Sequence, residues 1–179
     1  CNGYSGEDFI VHSDFQNGQI DPAILESLET FPTITQVGAL DEIKNQMFTL
    51  KALGKIVTAI PNIRLLIIGE GNQQEKLMNV VRESDLENHV IFAGQRNKEQ
   101  CLFLMSKSDV VVLASDSESF PNVIVEAQAL SVPVVSFDVG AVSDIVDHGR
   151  TGYVVSPGDL DSFQQYIISL LSNPDMGSV

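Results

Sequence analysis

The 179 residues carry 24 Asp and Glu against 10 Lys and Arg, a formal net charge of −14 at pH 7, with 44% apolar and 19% charged side chains. That length holds one compact domain with a short appendage, and the apolar share supplies a core rather than a disordered chain. The acidity argues against non-specific attachment to nucleic acid or anionic membrane, and it requires any anion-binding site to build its own local positive field.

Residues 1–32 stand apart from the rest. They contain a polar, glycine-bearing lead and one short helix, with Asp21 as N-cap, Pro22 in the first turn and an end near Leu28. This stretch reads as a linker entering the domain. The first residue is Cys1, and the polar residues behind it form no signal peptide, so the expectation is a fragment of a longer protein. No apolar run reaches the roughly 18–20 residues that span a bilayer.

From Thr33 onward short apolar runs alternate with amphipathic ones. Strands are predicted at 33–37, 64–68, 90–92, 110–113, 132–135 and 152–155. Several are unbroken β-branched runs, such as Val110-Val111-Val112-Leu113, the pattern of strands covered on both faces. Helices are predicted at 44–60, 74–83, 98–106, 122–130, 142–146 and 159–171. In the first, Phe48, Ala52, Ile56 and Ile60 recur at four-residue spacing; Asp159 or Pro157-Gly158 punctuates the start of the last. Six strands separated by helices imply right-handed crossovers and a doubly wound, Rossmann-like parallel sheet with helices on both faces, an α/β fold.

Cys1 and Cys101 make no disulfide framework, and Cys101, in an apolar stretch, reads as a buried structural thiol. His12, His89 and His148 lack partners at metal-ligand spacing, which disfavours zinc chemistry.

In an open parallel sheet ligands bind at the carboxyl ends of the strands, where helix N-termini point their positive ends. After the 110–113 strand comes Ala114-Ser115-Asp116-Ser117-Glu118-Ser119-Phe120-Pro121-Asn122 and then a helix. Pro121 fits its first position, leaving the N–H groups of Asn122 and Val123 to face a phosphate. Glu126, four residues beyond Asn122, is flanked by apolar residues in which an unpaired carboxylate is costly. A pair of ligand hydroxyls, as on a ribose, would satisfy it; an ordinary surface glutamate is the other reading. Glu118 precedes the helix, where a carboxylate suits the dipole in any case.

The loop after the first strand reads Val37-Gly38-Ala39-Leu40-Asp41-Glu42-Ile43-Lys44. Gly38 leaves room for close backbone approach. Lys44 stands near a helix start, the unfavourable end of the dipole for a cation, which a nearby phosphate would explain and a solvated lysine would equally allow. Gly69-Glu70-Gly71-Asn72-Gln73-Gln74 begins like a dinucleotide fingerprint, but Gln74 replaces the third glycine, and a tight strand–helix turn accounts for it.

Together these residues resemble the carboxyl-terminal domain of the GT-B fold retaining glycosyltransferases of family 4, over roughly residues 33–171. The most specific element is Glu118-Ser119-Phe120-Pro121-Asn122-Val123-Ile124-Val125-Glu126, two glutamates separated by seven residues. Supporting segments are Gly69-Glu70-Gly71, Phe92-Ala93-Gly94, Gly140 before Asp144-Ile145-Val146, and His148-Gly149-Arg150-Thr151-Gly152.

The resemblance implies a nucleotide-sugar-binding domain at 33–172, an interdomain linker at 1–32 and a tail at 173–179. Glu126 would hydrogen-bond the ribose of a nucleoside-diphosphate sugar, and Glu118 would contact the donor sugar at the reaction centre. Asn122 and Val123 would offer N–H groups to the diphosphate, with Gly38 and Phe120 in the same site. Backbone at Gln95–Arg96, after Gly94, would recognise the base. Lys44 would neutralise the leaving group, electrostatic work done by metals in other transferases, so no metal or other cofactor is expected. The partners implied are the donor and a glycan or lipid-linked acceptor held by a further, amino-terminal domain, with no nucleic acid and no membrane contact from this chain. The implied role is polysaccharide biosynthesis in the cytoplasm or, for the full-length protein, at the inner membrane surface. The isolated chain is expected to bind donor weakly without turnover.

Two positions depart from the family pattern. Ala39 stands where arginine is usual, which removes one of two phosphate cations unless another, such as Arg96, compensates. Ser131 stands where glycine is usual, read as a packing change. The alternatives are a non-catalytic partner subunit, suggested by Ala39 and the acidity, and a GT-B nucleotide-sugar epimerase, disfavoured by motif spacing. A dinucleotide-dependent oxidoreductase is more remote, given Gln74.

Overall fold

The computed structural model describes residues 20–173, so the lead and most of the tail lie outside the described residues. Helix α1 (Pro22–Thr30) starts where its cap allows: Asp21 Oδ1 accepts from the Ala23 N–H at 2.8 Å, beside a proline that has no N–H to satisfy. Ile24 and Leu28 on its inner face are buried against the sheet.

The remaining elements are β1 (Thr33–Val37), α2 (Gln46–Ala59), β2 (Arg64–Ile68), α3 (Gln74–Glu83), β3 (Val90–Gly94), α4 (Lys98–Ser106), β4 (Val110–Leu113), α5 (Asn122–Ala129), β5 (Val134–Phe137), α6 (Val142–Ile145), β6 (Gly152–Val155) and α7 (Leu160–Ser172). All strand pairings are parallel, in the order β3-β2-β1-β4-β5-β6. The doubly wound, Rossmann-like fold expected from the alternating pattern is the fold found.

Both faces of the sheet are covered, as unbroken apolar strands require. Successive side chains point to opposite faces. Val112 packs with Ile34, Leu65 and Val135 under α2 and α7, whereas Val111 and Leu113 pack with Ile124, Ala127 and Val142 of α5 and α6. Phe48, Phe137 and Phe163 meet edge to face, with centroids 4.8–5.8 Å apart, and lock α2 and α7 to β5.

Several boundaries move for local reasons. The fifth strand, expected at 132–135, lies two residues later. Val132 N–H donates to Ala127 O at 2.9 Å and so closes the end of α5, while Pro133 has no N–H for the ladder. The third strand runs on to Gly94, where the pairing with β2 slips around Ile67 and Ile68. The helix expected to begin at Lys44 begins at Gln46, because Asn45 is left-handed, with φ 52°. Ser131 is left-handed too, with φ 58°, so its departure from glycine is a backbone matter rather than a packing change.

The chain leaves β1 toward β2 on one side and resumes at β4 on the other. A crevice therefore opens at the carboxyl ends of β1 and β4, the topological switch point.

Candidate functional site

Two loops flank that crevice, 38–45 after β1 and 114–121 after β4. The first is laid along the turn that follows β2: Gly38 N–H donates to Ile68 O, Leu40 N–H to Glu70 O, and Gln73 N–H to Leu40 O, each at 2.9 Å. A Cβ on Gly69 would stand 2.0 Å from Gly38 O, and one on Gly71 2.3 Å from Leu40 O. Those glycines serve loop-to-loop contact, in keeping with a tight strand–helix turn.

Asp41 Oδ1 accepts from the Lys44 N–H at 2.8 Å, and the turn it closes ends at left-handed Asn45. Lys44 thus stands in the loop ahead of α2. Its ammonium reaches across the switch point and forms an ion pair with Glu118 Oε1. The same oxygen accepts from Ser115 Oγ at 2.8 Å, and the Glu118 side chain is only 11% exposed. Asp116 ties the two loops again: its N–H donates to Ile43 O at 2.9 Å, and its Oδ1 accepts from Asn45 Nδ2 at 3.1 Å.

At the start of α5 the expectation needs one correction. Pro121 is the N-cap rather than the first helical residue. Asn122 N–H donates to Phe120 O at 3.0 Å, a three-residue turn centred on Pro121, so it is already engaged. The Val123 N–H has no acceptor among the described residues and remains open at the positive end of the helix. Phe120 is 55% exposed beside it.

Glu126 is satisfied by a residue that sequence reasoning missed. Lys98, the first residue of α4, forms an ion pair with Glu126 Oε1. The dipole argument applied to Lys44 would have flagged Lys98 as well, since it too is a cation at a helix start. Cys101 lies beside this pair and is half-buried, not the fully buried thiol expected. Burial pushes its pKa up, Glu126 adds to the rise, and Lys98 and Arg96 oppose it. The Cys101 thiol also donates to the Arg96 carbonyl at 3.7 Å, which places Arg96 beside Cys101. Gly94, at φ 67°, turns the chain toward Gln95, whose N–H lies 3.4 Å from Glu70 Oε1.

The carboxyl end of the sheet thus carries two lysine–carboxylate pairs, Lys44–Glu118 between the loops after β1 and β4 and Lys98–Glu126 between α4 and α5, with one open N–H at the start of α5. Lys44 and the open N–H suit a phosphate, and the carboxylates suit hydroxyl groups. A cavity of about 450 Å³ between α2 and α3, lined by Met47, Phe48 and Val80 among others, includes neither glutamate. Among the described residues no three His, Cys, Asp or Glu side chains gather as a metal site, and no helix is long and apolar enough to cross a membrane.

Residues 19–178 match the family described as Glycosyl transferases group 1. The chain belongs to the group 1 glycosyl transferases. Relatives within reach of this group 1 domain include the N-acetyl-alpha-D-glucosaminyl L-malate synthase of Bacillus anthracis, 28% identical over 83% of this chain. The poly(glycerol-phosphate) alpha-glucosyltransferase of Bacillus subtilis is 30% identical over 86% of it. The chain spans 38% of the first protein's length and 23% of the second's. Among solved structures, Anabaena HepE in complex with UDP superposes with a TM-score of 0.77 at 24% identity, covering 88% of this chain and 45% of that one. The sucrose-phosphate synthase of Thermosynechococcus elongatus gives a TM-score of 0.76 at 27% identity, covering 83% and 38%. The six-stranded group 1 domain therefore has the architecture of GT-B glycosyltransferase structures.

Proposed function

We propose that this group 1 domain is the carboxyl-terminal, donor-binding half of a family 4 retaining glycosyltransferase. It takes a nucleoside-diphosphate sugar at the switch-point crevice, and transfer goes to a glycan or lipid-linked acceptor held by a second domain. The observation that carries the reading is the Lys44–Glu118 ion pair, which sets a cation and a carboxylate side by side across β1 and β4. In this reading the diphosphate takes over Lys44, and Glu118 is released toward the donor sugar. Val123 N–H binds a phosphate oxygen, and Glu126 exchanges part of its bond with Lys98 for ribose hydroxyls. Lys44 does the charge neutralisation, so the reaction needs no metal. That HepE, which shares this fold, was solved in complex with UDP supports a nucleotide-linked donor.

A second reading, a non-catalytic partner subunit, rests on Ala39, which leaves Lys44 as the only cation that the 38–45 loop presents. Calorimetric titration with UDP, GDP, their sugar conjugates and NAD separates the possibilities. The donor reading expects one nucleoside diphosphate to bind in the micromolar to millimolar range. Silence toward all of them favours the partner subunit, and binding of NAD alone overturns the glycosyltransferase assignment.

A further inference from the structure

Two glutamines are buried beneath the loop that carries Lys44. Gln36 in β1 and Gln46 at the start of α2 are each 1% exposed. Buried polar side chains are the informative exception in a core, since each must find partners or destabilise the fold. Gln36 Nε2 donates to the carbonyl of Lys44 at 2.7 Å, and Gln46 Nε2 donates to the carbonyl of Ala39 at 2.9 Å. The two amides hold the two ends of the 39–44 segment from below.

Their oxygens tell against a purely stabilising role. Gln36 Oε1 and Gln46 Oε1 are both buried with no hydrogen-bond partner among the described residues. A side chain that gains one hydrogen bond and strands an acceptor is close to neutral for stability, and an unbranched apolar residue would fill the same space without the stranded oxygen. What the amides do deliver is a fixed backbone at the residue whose ammonium meets Glu118. With alanine at position 39, that single cation has to be in the right place.

We infer that Gln36 and Gln46 are positioning residues, a buried amide clamp that sets the Lys44 ammonium at the switch point for the donor diphosphate. The inference rests on the donor reading above, and its test separates the two. Gln36→Met and Gln46→Met are made in the full chain, the second serving if the first does not fold. Amide hydrogen exchange reads the clamp itself. Residues 39–45 should exchange about tenfold faster, as expected for one lost hydrogen bond, with β2 and β4 unchanged.

Affinity for UDP and GDP, against uridine and guanosine, reads the positioning. The diphosphate that binds should weaken about tenfold in Gln36→Met, the nucleoside should be unaffected, and the loss should vanish in a Lys44→Met background. Unchanged exchange overturns the clamp. Faster exchange with unaltered diphosphate affinity, or an equal loss with and without Lys44, overturns the positioning role. If the wild-type chain binds no nucleotide, the donor reading fails, while the exchange result still supports or overturns the clamp.

Discussion

Lys98, at the first position of α4, holds the carboxylate of Glu126 on α5, and the Cys101 thiol sits within the field of both. The two charges act on the thiol in opposite directions. Glu126→Gln removes a charge that disfavours the thiolate, so the Cys101 pKa should fall and alkylation by iodoacetamide at pH 8 should speed up. Lys98→Met removes a charge that favours it and should slow the same reaction. The rate–pH profile in a Cys1→Ser background checks both signs. Equal profiles would mean that the pair does not sit beside the thiol.

Ser131 lies just past α5 in the left-handed conformation, with Val132 N–H bonded back to Ala127 O at 2.9 Å. That is the closure in which glycine is favoured, because its missing Cβ avoids the clash with the carbonyl. Ser131→Gly should raise stability by about 0.5–1 kcal/mol in urea unfolding, part of the gain being offset by the freer unfolded chain.

Gly140 stands behind the 114–121 loop. Its φ is +56°, and a Cβ there would lie 1.9 Å from the Glu118 carbonyl. Gly140→Ala should cost on the order of 2 kcal/mol in urea unfolding and also weaken nucleotide binding, because the strain is relieved by moving the backbone of Glu118.

Asp159 caps α7 by accepting from the Ser162 N–H at 3.0 Å, and its bonds to Ser162 hold its carboxyl below the ordinary 3.8. A depressed folded pKa contributes stability above the unfolded value and loses it as pH falls through the folded one. Asp159→Asn, which keeps a capping oxygen but does not titrate, should match the wild type near pH 7. It should lose less Tm than the wild type between about pH 5 and pH 2.

The strands were legible as short runs rich in β-branched and aliphatic residues, Val110-Val111-Val112-Leu113 most clearly, and β1, β2, β4 and β6 lie at the residues expected. Boundaries moved where local backbone decided them, at left-handed Asn45 ahead of α2 and at left-handed Ser131 and Pro133 ahead of β5. The candidate glutamates were legible from their spacing and setting, but their partners were not. Lys44 and Glu118 are 74 residues apart, and Lys98 meets Glu126 only because α4 and α5 pack together. Gln36 gave no signal in a strand that also carries Thr33 and Thr35, since its role depends on a loop eight residues on that folds back over it.

The central claim is that the crevice between β1 and β4 takes the diphosphate of a nucleotide sugar on Lys44 and its ribose on Glu126. The most direct measurement is the dissociation constant of the nucleoside diphosphate that the chain binds, in the wild type and in Lys44→Ala and Glu126→Ala. A lost bond to a charged group weakens affinity by about 10- to 100-fold. Both variants should show that loss with little change in Tm, and Lys44→Ala should leave the affinity for the bare nucleoside unchanged. Undiminished diphosphate binding in both variants would contradict the account.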